Sequence, residues 1–146
     1  MRTGQDEYFM EITEAVAKRS PCCSRQVGCI TIDYNNHILS TGYNGVPSGV
    51  EHCRQCKRTE QGRNLYSCLA VHAEQNALLQ CSNVNNIVKI YVTINPCMIC
   101  ARLLANTSCH TIVFNDKYNE SHYHEFHNFW VVRLKRNIVY LRGIHP

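Results

Sequence analysis

The sequence predicts a single α/β domain in which helices cover a mixed β-sheet. After residue 70, segments with helical and strand-like patterns alternate, and a strand–helix–strand order requires crossovers and favours parallel pairing. Before that point, two strand-like segments are joined by the turn dipeptide Asn35-Asn36, which predicts an antiparallel hairpin. The 146 residues, of which 45% are hydrophobic, suffice for one domain with a core and exclude general disorder.

The predicted elements follow the order α-β-β-α-β-α-β-α-β. Helices are predicted over residues 7–19, 72–81, 96–106 and 120–136, and strands over residues 27–32, 37–42, 87–94, 111–114 and 138–141. Four residues are predicted to share the buried face of the first helix: Tyr8, Ile12, Ala15 and Val16. Three residues are predicted to form an apolar stripe on the last helix: Phe126, Trp130 and Leu134. Pro96 is predicted at the first position of the third helix, where its missing N–H costs no hydrogen bond.

The net charge and the cysteine content narrow the classes of function. Fifteen Lys and Arg against eleven Asp and Glu give a net charge of +4. This charge is compatible with an anionic small ligand but gives weak support for a nucleic-acid surface. The first residues show no apolar signal segment, and no stretch approaches the roughly 18 apolar residues that span a bilayer. We therefore expect a reducing, cytoplasmic compartment without a membrane partner, where the ten cysteines point to metal binding.

Two short segments carry the chemistry: His72-Ala73-Glu74 and Pro96-Cys97-Met98-Ile99-Cys100. Cys97 and Cys100 are three residues apart on one face of a first helical turn, where the amide dipoles favour thiolate. One imidazole and two thiolates provide three zinc ligands and leave the fourth position open, which is the catalytic pattern. Glu74 lies near that open position and can move protons, a role that a purely structural zinc site does not need. The two segments form the His-x-Glu … Pro-Cys-x-x-Cys signature of zinc nucleobase deaminases.

A wider set of segments resembles the deoxycytidylate (dCMP) deaminase family over about residues 5–120. The segments that carry the resemblance are Cys22-Cys23-Ser24, Val27-Gly28-Cys29-Ile30, Ser40–Pro47, His72–Ala77 and Thr93–Cys97. The Cys-Cys-Ser segment after the first helix is shared with the bacteriophage and viral members. The resemblance implies the cytidine-deaminase fold, a three-layer α/β/α arrangement around a mixed five-stranded sheet. It also implies hydrolytic deamination of dCMP to dUMP and ammonia, which supplies thymidylate synthesis.

Carried over by position, the resemblance assigns the catalytic centre. His72, Cys97 and Cys100 would hold the zinc ion, and hydroxide on zinc would attack C4 of the pyrimidine. Glu74 would protonate N3 and then the leaving amine.

Five further residues are predicted to contact the substrate: Arg25, Val27, Asn44, Ala73 and Tyr118. By resemblance, Asn44 would contact the sugar or base, Val27 would line the base pocket, and Tyr118 would close it. Val27 is equally consistent with a core residue of a strand, and Asn44 with a turn residue. Arg25 is the first candidate for the cation that a monophosphate needs, because it flanks the strand next to Val27. The other candidates are Lys57, Arg58, Arg102 and Lys117.

The remaining cysteines suggest a second, structural zinc site, which the phage-type members of the family also carry. Cys53 and Cys56 have zinc-ribbon spacing within a long polar loop over residues 50–70 that needs an anchor. The predicted ligands are Cys22, Cys53, Cys56 and Cys68, with Cys23 and His52 as rival ligands. Free cysteines that pack as small apolar residues are the alternative. Three other cysteines are predicted to lie in the core: Cys29, Cys81 and Cys109. Three histidines are predicted to form a solvated or stacking helix face: His122, His124 and His127.

The family resemblance also implies activation by dCTP, inhibition by dTTP, Mg²⁺ with the allosteric nucleotide, and a homohexamer. Two competing functions are kept. A polynucleotide deaminase, such as a tRNA adenosine deaminase, would need a basic groove and stacking aromatic residues. A non-catalytic, zinc-stabilised binding module would have no use for Glu74 or for an open metal position.

Overall fold

The structure is a computed structural model that describes residues 1–56 and 68–142. The helices in this part of the chain are α1 (Gln5–Ala17), α2 (Ala73–Gln80), α3 (Met98–Ala105) and α4 (Glu120–His127). The strands are β1 (Gly28–Ile32), β2 (Ile38–Tyr43), β3 (Lys89–Ile94), β4 (Thr111–Asp116) and β5 (Asn137–Tyr140). The predicted element order and the mixed five-stranded sheet are therefore confirmed. Among the described residues, no helix is both long and apolar enough to span a membrane.

The strands pair in the spatial order β2-β1-β3-β4-β5. β1 is antiparallel to both β2 and β3, whereas β3, β4 and β5 are parallel. Gly28 therefore pairs with Tyr43, and Ile94 pairs with Asp116, at one end of the strands. We call this end the upper edge: it contains the start of β1 and the ends of β2, β3 and β4.

The opposite end of the β1–β2 hairpin is a tight, exposed turn. Asp33 accepts hydrogen bonds from the backbone N–H groups of Asn35 and His37 through its carboxylate, both at 2.9 Å. Asn36 adopts a positive φ of 64°, a conformation that asparagine tolerates well. Tyr34 at the tip is 85% exposed.

Alternating residues of the sheet face two separate cores, as expected for strands buried on both sides. On β3, Tyr91 packs with Phe9 and Met10 of α1, whereas Ile90 and Val92 pack on the side of the other helices. The sheet thus lies between α1 on one face and α2, α3 and α4 on the other. This is the predicted three-layer arrangement.

Two glycines allow the helices to approach the sheet closely. A Cβ atom on Gly42 of β2 would collide with backbone atoms of Ala73 and Ala77 in α2. A Cβ atom on Gly28 would collide in the same way with Thr13 and Ala17 of α1. Because α2 can lie directly against β2, its N-terminus reaches the upper edge of the sheet.

The predicted buried face of α1 is wrong. The buried residues are Phe9, Met10, Thr13 and Ala17, whereas Tyr8 is 51% exposed, Ala15 is exposed, and Ile12 and Val16 are half-buried. The reason is the contact with Gly28, since close approach of the backbones selects the small side chains Thr13 and Ala17. The threonine hydroxyl is satisfied within the helix by donating to the carbonyl of Phe9 at 2.7 Å.

The bounds of three helices also differ from the prediction by two residues or more. α1 covers Gln5–Ala17 and not residues 7–19. Pro96 lies before α3 and not at its first position, since Cys97 is the N-cap and Met98 is the first helical residue. The preceding residue still belongs to the sheet edge, because the Asn95 N–H donates to the Asp116 carbonyl at 3.1 Å. The last helix is α-helical only to His127 and continues as a π-helix over Asn128–Arg133. In the predicted stripe of that segment, Phe126 and Trp130 are buried and Leu134 is half-buried.

Candidate active site

The imidazole of His72 and the two thiols of Cys97 and Cys100 converge at the upper edge. His72 Nδ1 lies 3.4 Å from Cys97 Sγ and 3.3 Å from Cys100 Sγ. These three form the one group of at least three His, Cys, Asp or Glu side chains, within the described chain, whose ligand atoms all lie within 4.8 Å of one another. One nitrogen and two sulfur donors fit Zn²⁺, which favours such ligands.

The secondary structure explains how these side chains meet. His72 is the N-cap of α2 and Cys97 is the N-cap of α3, and both have extended backbone conformations. Cys100 follows in the first turn of α3 and is completely buried. Gln75 steadies the first of these caps, because its side-chain oxygen accepts a hydrogen bond from the His72 N–H at 2.8 Å.

The thiol pair is prepared for metal binding by its own hydrogen bonds. The pKa of Cys97 falls to about 4 because the Cys100 thiol donates to its sulfur and His72 also bonds to it. The pKa of Cys100 is raised because it holds the proton of the pair and is buried. These contacts favour the thiolate form of Cys97, which is the form that coordinates metals.

Glu74 lies in the first turn of α2 and is 5% exposed. Burial raises the pKa of its carboxyl to about 7, partly offset by a backbone hydrogen bond. The Cys97 thiolate raises the pKa further, while His72 and a hydrogen bond with Cys100 lower it. A buried carboxyl beside the three donor side chains, able to gain or lose a proton near neutrality, suits general acid–base chemistry.

Asn44 anchors the segment between α1 and β1. Its side-chain oxygen accepts hydrogen bonds from the Val27 N–H at 2.8 Å and from the Ser20 hydroxyl at 2.7 Å. Its amide nitrogen donates to the Arg25 carbonyl at 2.8 Å. Both polar atoms of this side chain therefore hold the backbone that carries Arg25 and Val27.

The other predicted substrate residues surround the same edge. The Arg25 guanidinium lies over the ring of Tyr118, 5.3 Å from its centroid, and so bridges the start of β1 and the segment after β4. Val27 is half-buried and packs against the core, and Ala73 is 1% exposed at the start of α2. The structure thus brings Arg25 and Tyr118 together. Because the Ala73 side chain is buried, a contact with substrate would be made by its backbone.

Asn95 is a site residue that the sequence analysis missed. It is 3% exposed, and its side-chain oxygen accepts a hydrogen bond from the Tyr118 N–H at 2.8 Å. The sequence signal for this residue is a polar side chain placed between a buried strand and Pro96-Cys97.

The candidate ligands of the second zinc line one small cavity of about 30 Å³. Its walls include Cys22, Cys23, His52, Cys53, Cys56 and Cys68. No three of these donor atoms, all of which belong to described residues, lie within 4.8 Å of one another. These side chains thus surround one cavity, but their donor atoms lie farther apart than those of His72, Cys97 and Cys100.

The remaining candidates lie apart from this chemistry. Lys117 is held by the rings of Tyr123 and Tyr140, at 4.2 and 5.3 Å, and Arg102 is exposed in the last turn of α3. Lys57 and Arg58 lie outside the described residues.

The three histidines of α4 make polar and ring contacts at or near the surface. The ring of His122 lies 4.8 Å from that of Tyr118, His124 pairs with Glu120, and the His127 ring contacts Tyr123. Among the predicted core cysteines, Cys29 and Cys109 are buried, and Cys81 is half-buried at the end of α2.

Comparisons with known proteins identify the family to which this chain belongs. Residues 3–116 match the family model described as the cytidine and deoxycytidylate deaminase zinc-binding region. A deoxycytidylate deaminase of Schizosaccharomyces pombe is 37% identical over 130 residues, which are 83% of this chain and 40% of the yeast protein. The chain thus spans about two fifths of that relative's length. A deoxycytidylate deaminase of Mycobacterium phage D29 is 38% identical over 123 residues, 77% of this chain and 95% of the phage protein.

A solved structure gives the same fold. The dCMP deaminase of cyanophage S-TIM5, in complex with dCMP and dUMP, superposes with a TM-score of 0.75 at 26% identity. The superposition covers 94% of this chain and 97% of the phage chain.

Proposed function

The chain belongs to the family of cytidine and deoxycytidylate deaminases, and we propose that it catalyses the hydrolytic deamination of dCMP to dUMP and ammonia. The observation that carries this proposal is the convergence of His72, Cys97 and Cys100 beside the buried carboxyl of Glu74. The proposal is supported by relatives named deoxycytidylate deaminase at 37% and 38% identity. It is also supported by the similar phage structure that holds dCMP and dUMP.

His72, Cys97 and Cys100 hold the zinc ion in this proposal. When bound, zinc supplies a Lewis acid that activates water for attack on C4 of the pyrimidine ring. Glu74 would take one proton from the attacking water and pass it to N3, and would then carry the second proton of that water, lost as the C4 hydroxyl becomes a carbonyl, to the leaving amine. Its burial keeps competing water away from the carboxyl while these protons move.

The walls of the site would hold the rest of the nucleotide. Arg25 provides the positive charge for the 5′-phosphate, and the ring of Tyr118 beneath its guanidinium closes the pocket. Asn44 orients this wall through the Arg25 and Val27 backbones. A contact of Asn44 with the sugar or base uses the second proton of its amide nitrogen.

The decisive experiment is to incubate the purified protein with dCMP, CMP, dCTP, cytidine and oligonucleotides and to measure ammonia release. We expect dCMP to be the best substrate. Preferred release from an oligonucleotide would assign the chain to the polynucleotide deaminases. Zinc binding without ammonia from any substrate would favour a non-catalytic binding module.

We also propose a second, structural zinc ion held by Cys22, Cys53, Cys56 and Cys68. The support is their position around one cavity and the zinc-ribbon spacing of two of them. Metal analysis is expected to give two zinc ions per chain, falling to one in Cys53→Ser. One zinc ion in the unaltered protein would refute the second site.

Regulation by dCTP and dTTP with Mg²⁺ is the last part of the proposal, together with a homohexamer. An open pocket of about 720 Å³ has Val71, the residue before His72, in its wall. Lys18, Arg19 and His52 also line it and are the candidates for phosphate binding. Its wall also includes Asn76 of α2, the helix that carries Glu74. We expect dCTP to increase and dTTP to decrease the rate with dCMP. Sedimentation is expected to give six chains; rates unchanged by both effectors, or a monomer, would contradict these proposals.

A further inference from the structure

Asn95 lies between the end of β3 and the N-terminus of α3. It follows Ile94 at the end of β3 and precedes Pro96 and the metal-ligand candidate Cys97. It is 3% exposed, so its side-chain amide needs protein partners.

The side chain of Asn95 connects two segments. Its oxygen accepts the hydrogen bond from the Tyr118 N–H at 2.8 Å, and its nitrogen donates to the Pro96 carbonyl at 3.3 Å. The backbone N–H of Asn95 also donates to the Asp116 carbonyl at 3.1 Å. A single buried residue therefore joins the turn before Cys97 to the segment that carries Tyr118.

The ring of Tyr118 depends on this backbone attachment for its position. It is 42% exposed, and its ring contacts include the exposed Arg25 and the ring of His122. Long exposed side chains hold a partner weakly, whereas a hydrogen bond made by a buried residue is costly to break.

We propose that Asn95 is a positioning residue that fixes the Tyr118 ring relative to the metal-ligand turn at Cys97. Asn95 itself does not touch the substrate in this assignment. It acts through Tyr118, and the kinetic part of the inference rests on the proposed function, since it needs dCMP as substrate. Loss of the Asn95 amide should loosen the pocket wall and leave the chemistry in place.

The first test measures the position of Tyr118 without using activity. Amide hydrogen exchange at Tyr118, followed by NMR, is expected to be at least about tenfold faster in Asn95→Ala. Asn95→Asp keeps an acceptor oxygen and should retain the protection. Asn115→Ala is the matched control, because Asn115 is also buried but bonds to Glu14. Unchanged exchange at Tyr118 in Asn95→Ala would overturn the proposal.

The second test is a kinetic double-mutant cycle. In Asn95→Ala we expect the KM for dCMP to rise about tenfold with kcat within about twofold and zinc content unchanged. In a Tyr118→Ala background the same substitution should change KM no further, because the ring it positions is gone. If the KM increases caused by the two substitutions instead multiply in the double variant, Asn95 acts by another route and the assignment is refuted. If dCMP is not deaminated at all, the proposed function fails, while the exchange experiment still decides whether Asn95 holds Tyr118.

Discussion

His72 and Cys97 occupy the same structural position in two different helices. Each is an N-cap residue with extended backbone, and His72 Nδ1 lies 3.4 Å from Cys97 Sγ. The partial positive charge of two helix N-termini is thereby directed at one small volume. This arrangement stabilises thiolate and leaves the first turn of α2 to supply the carboxyl of Glu74.

The role of Glu74 can be separated from metal binding by a single substitution. Glu74→Ala is expected to keep its zinc, since the donor side chains are intact, and to lose about 10²–10⁴-fold in kcat. Zinc content by atomic absorption and ammonia release from dCMP measure the two quantities. A variant that stays active would remove the proton-transfer role, and one that loses zinc would assign Glu74 to the metal site.

The close contact between Gly42 and α2 predicts that a larger residue at position 42 lowers the stability of the fold and also weakens metal binding at the site. In Gly42→Ala the new methyl group collides with backbone atoms of Ala73 and Ala77, so α2 must shift. We expect a loss of about 1–3 kcal/mol in the free energy of unfolding and weaker zinc binding through His72. Urea denaturation and competition with a zinc chelator test this.

Gly4→Ala is the control for the collision, because the nearest atom to its new methyl group is 4.0 Å away, in Glu7. Gly4 is the N-cap of α1, so we expect this variant to lose no more than about 1 kcal/mol. Equal stability of the two variants would show that the sheet and α2 separate at no cost.

Asn44 tests whether a motif residue serves the fold or the substrate. Asn44→Ala leaves the Val27 N–H and the Arg25 carbonyl without their side-chain partner, whereas the Ser20 hydroxyl keeps the backbone carbonyl of residue 44 as its acceptor. We expect the free energy of unfolding to fall by about 1–3 kcal/mol. Asn35→Ala, in an exposed turn, should change it by less than about 0.5 kcal/mol. A rise in the KM for dCMP without loss of stability would instead make substrate contact the main role of Asn44.

Burial of Cys109 predicts a loss of stability at alkaline pH. Burial raises the pKa of its thiol from 9.0 to about 12. Below pH 9 the thiol is protonated in both the folded and the unfolded state, so ionisation of this thiol does not lower the free energy of unfolding. Above pH 9 the unfolded chain ionises first, so stability falls by about 1.4 kcal/mol per pH unit until pH 12.

The control for this prediction is Cys109→Ala, which should have a shallower decline in the free energy of unfolding between pH 9 and pH 11. Identical slopes in the two proteins, measured by urea denaturation, would assign the alkaline loss to other groups, such as the buried tyrosine Tyr91, whose pKa is also raised by burial.

The parts of this protein that the sequence predicts correctly are those fixed by short-range rules. Strand and helix order follows from hydrophobic periodicity, and the spacing of Cys97 and Cys100 places both sulfurs on one face of a helical turn. The motif also predicts that His72 joins them, because its segment has the same strand–loop–helix setting.

The missed features depend on contacts between distant residues. The buried face of α1 is decided by Gly28, which lies in the next element of the chain. The amide of Asn44 is bonded to residues 17 to 24 positions away, and that of Asn95 to a residue 23 positions away. Periodicity contains no information on such pairs, since it describes only neighbours along one helix or strand.

The hairpin turn at Asp33–His37 is a suitable site for attaching a label to this protein. It lies at the far end of β1 from Gly28, its backbone is capped locally by Asp33, and Tyr34 projects into solvent. A short epitope or a fluorescent label inserted between Tyr34 and Asn35 should therefore leave catalysis intact. Such labelled protein would allow the proposed binding of dCTP and dTTP and the proposed association of several chains to be tested by energy transfer.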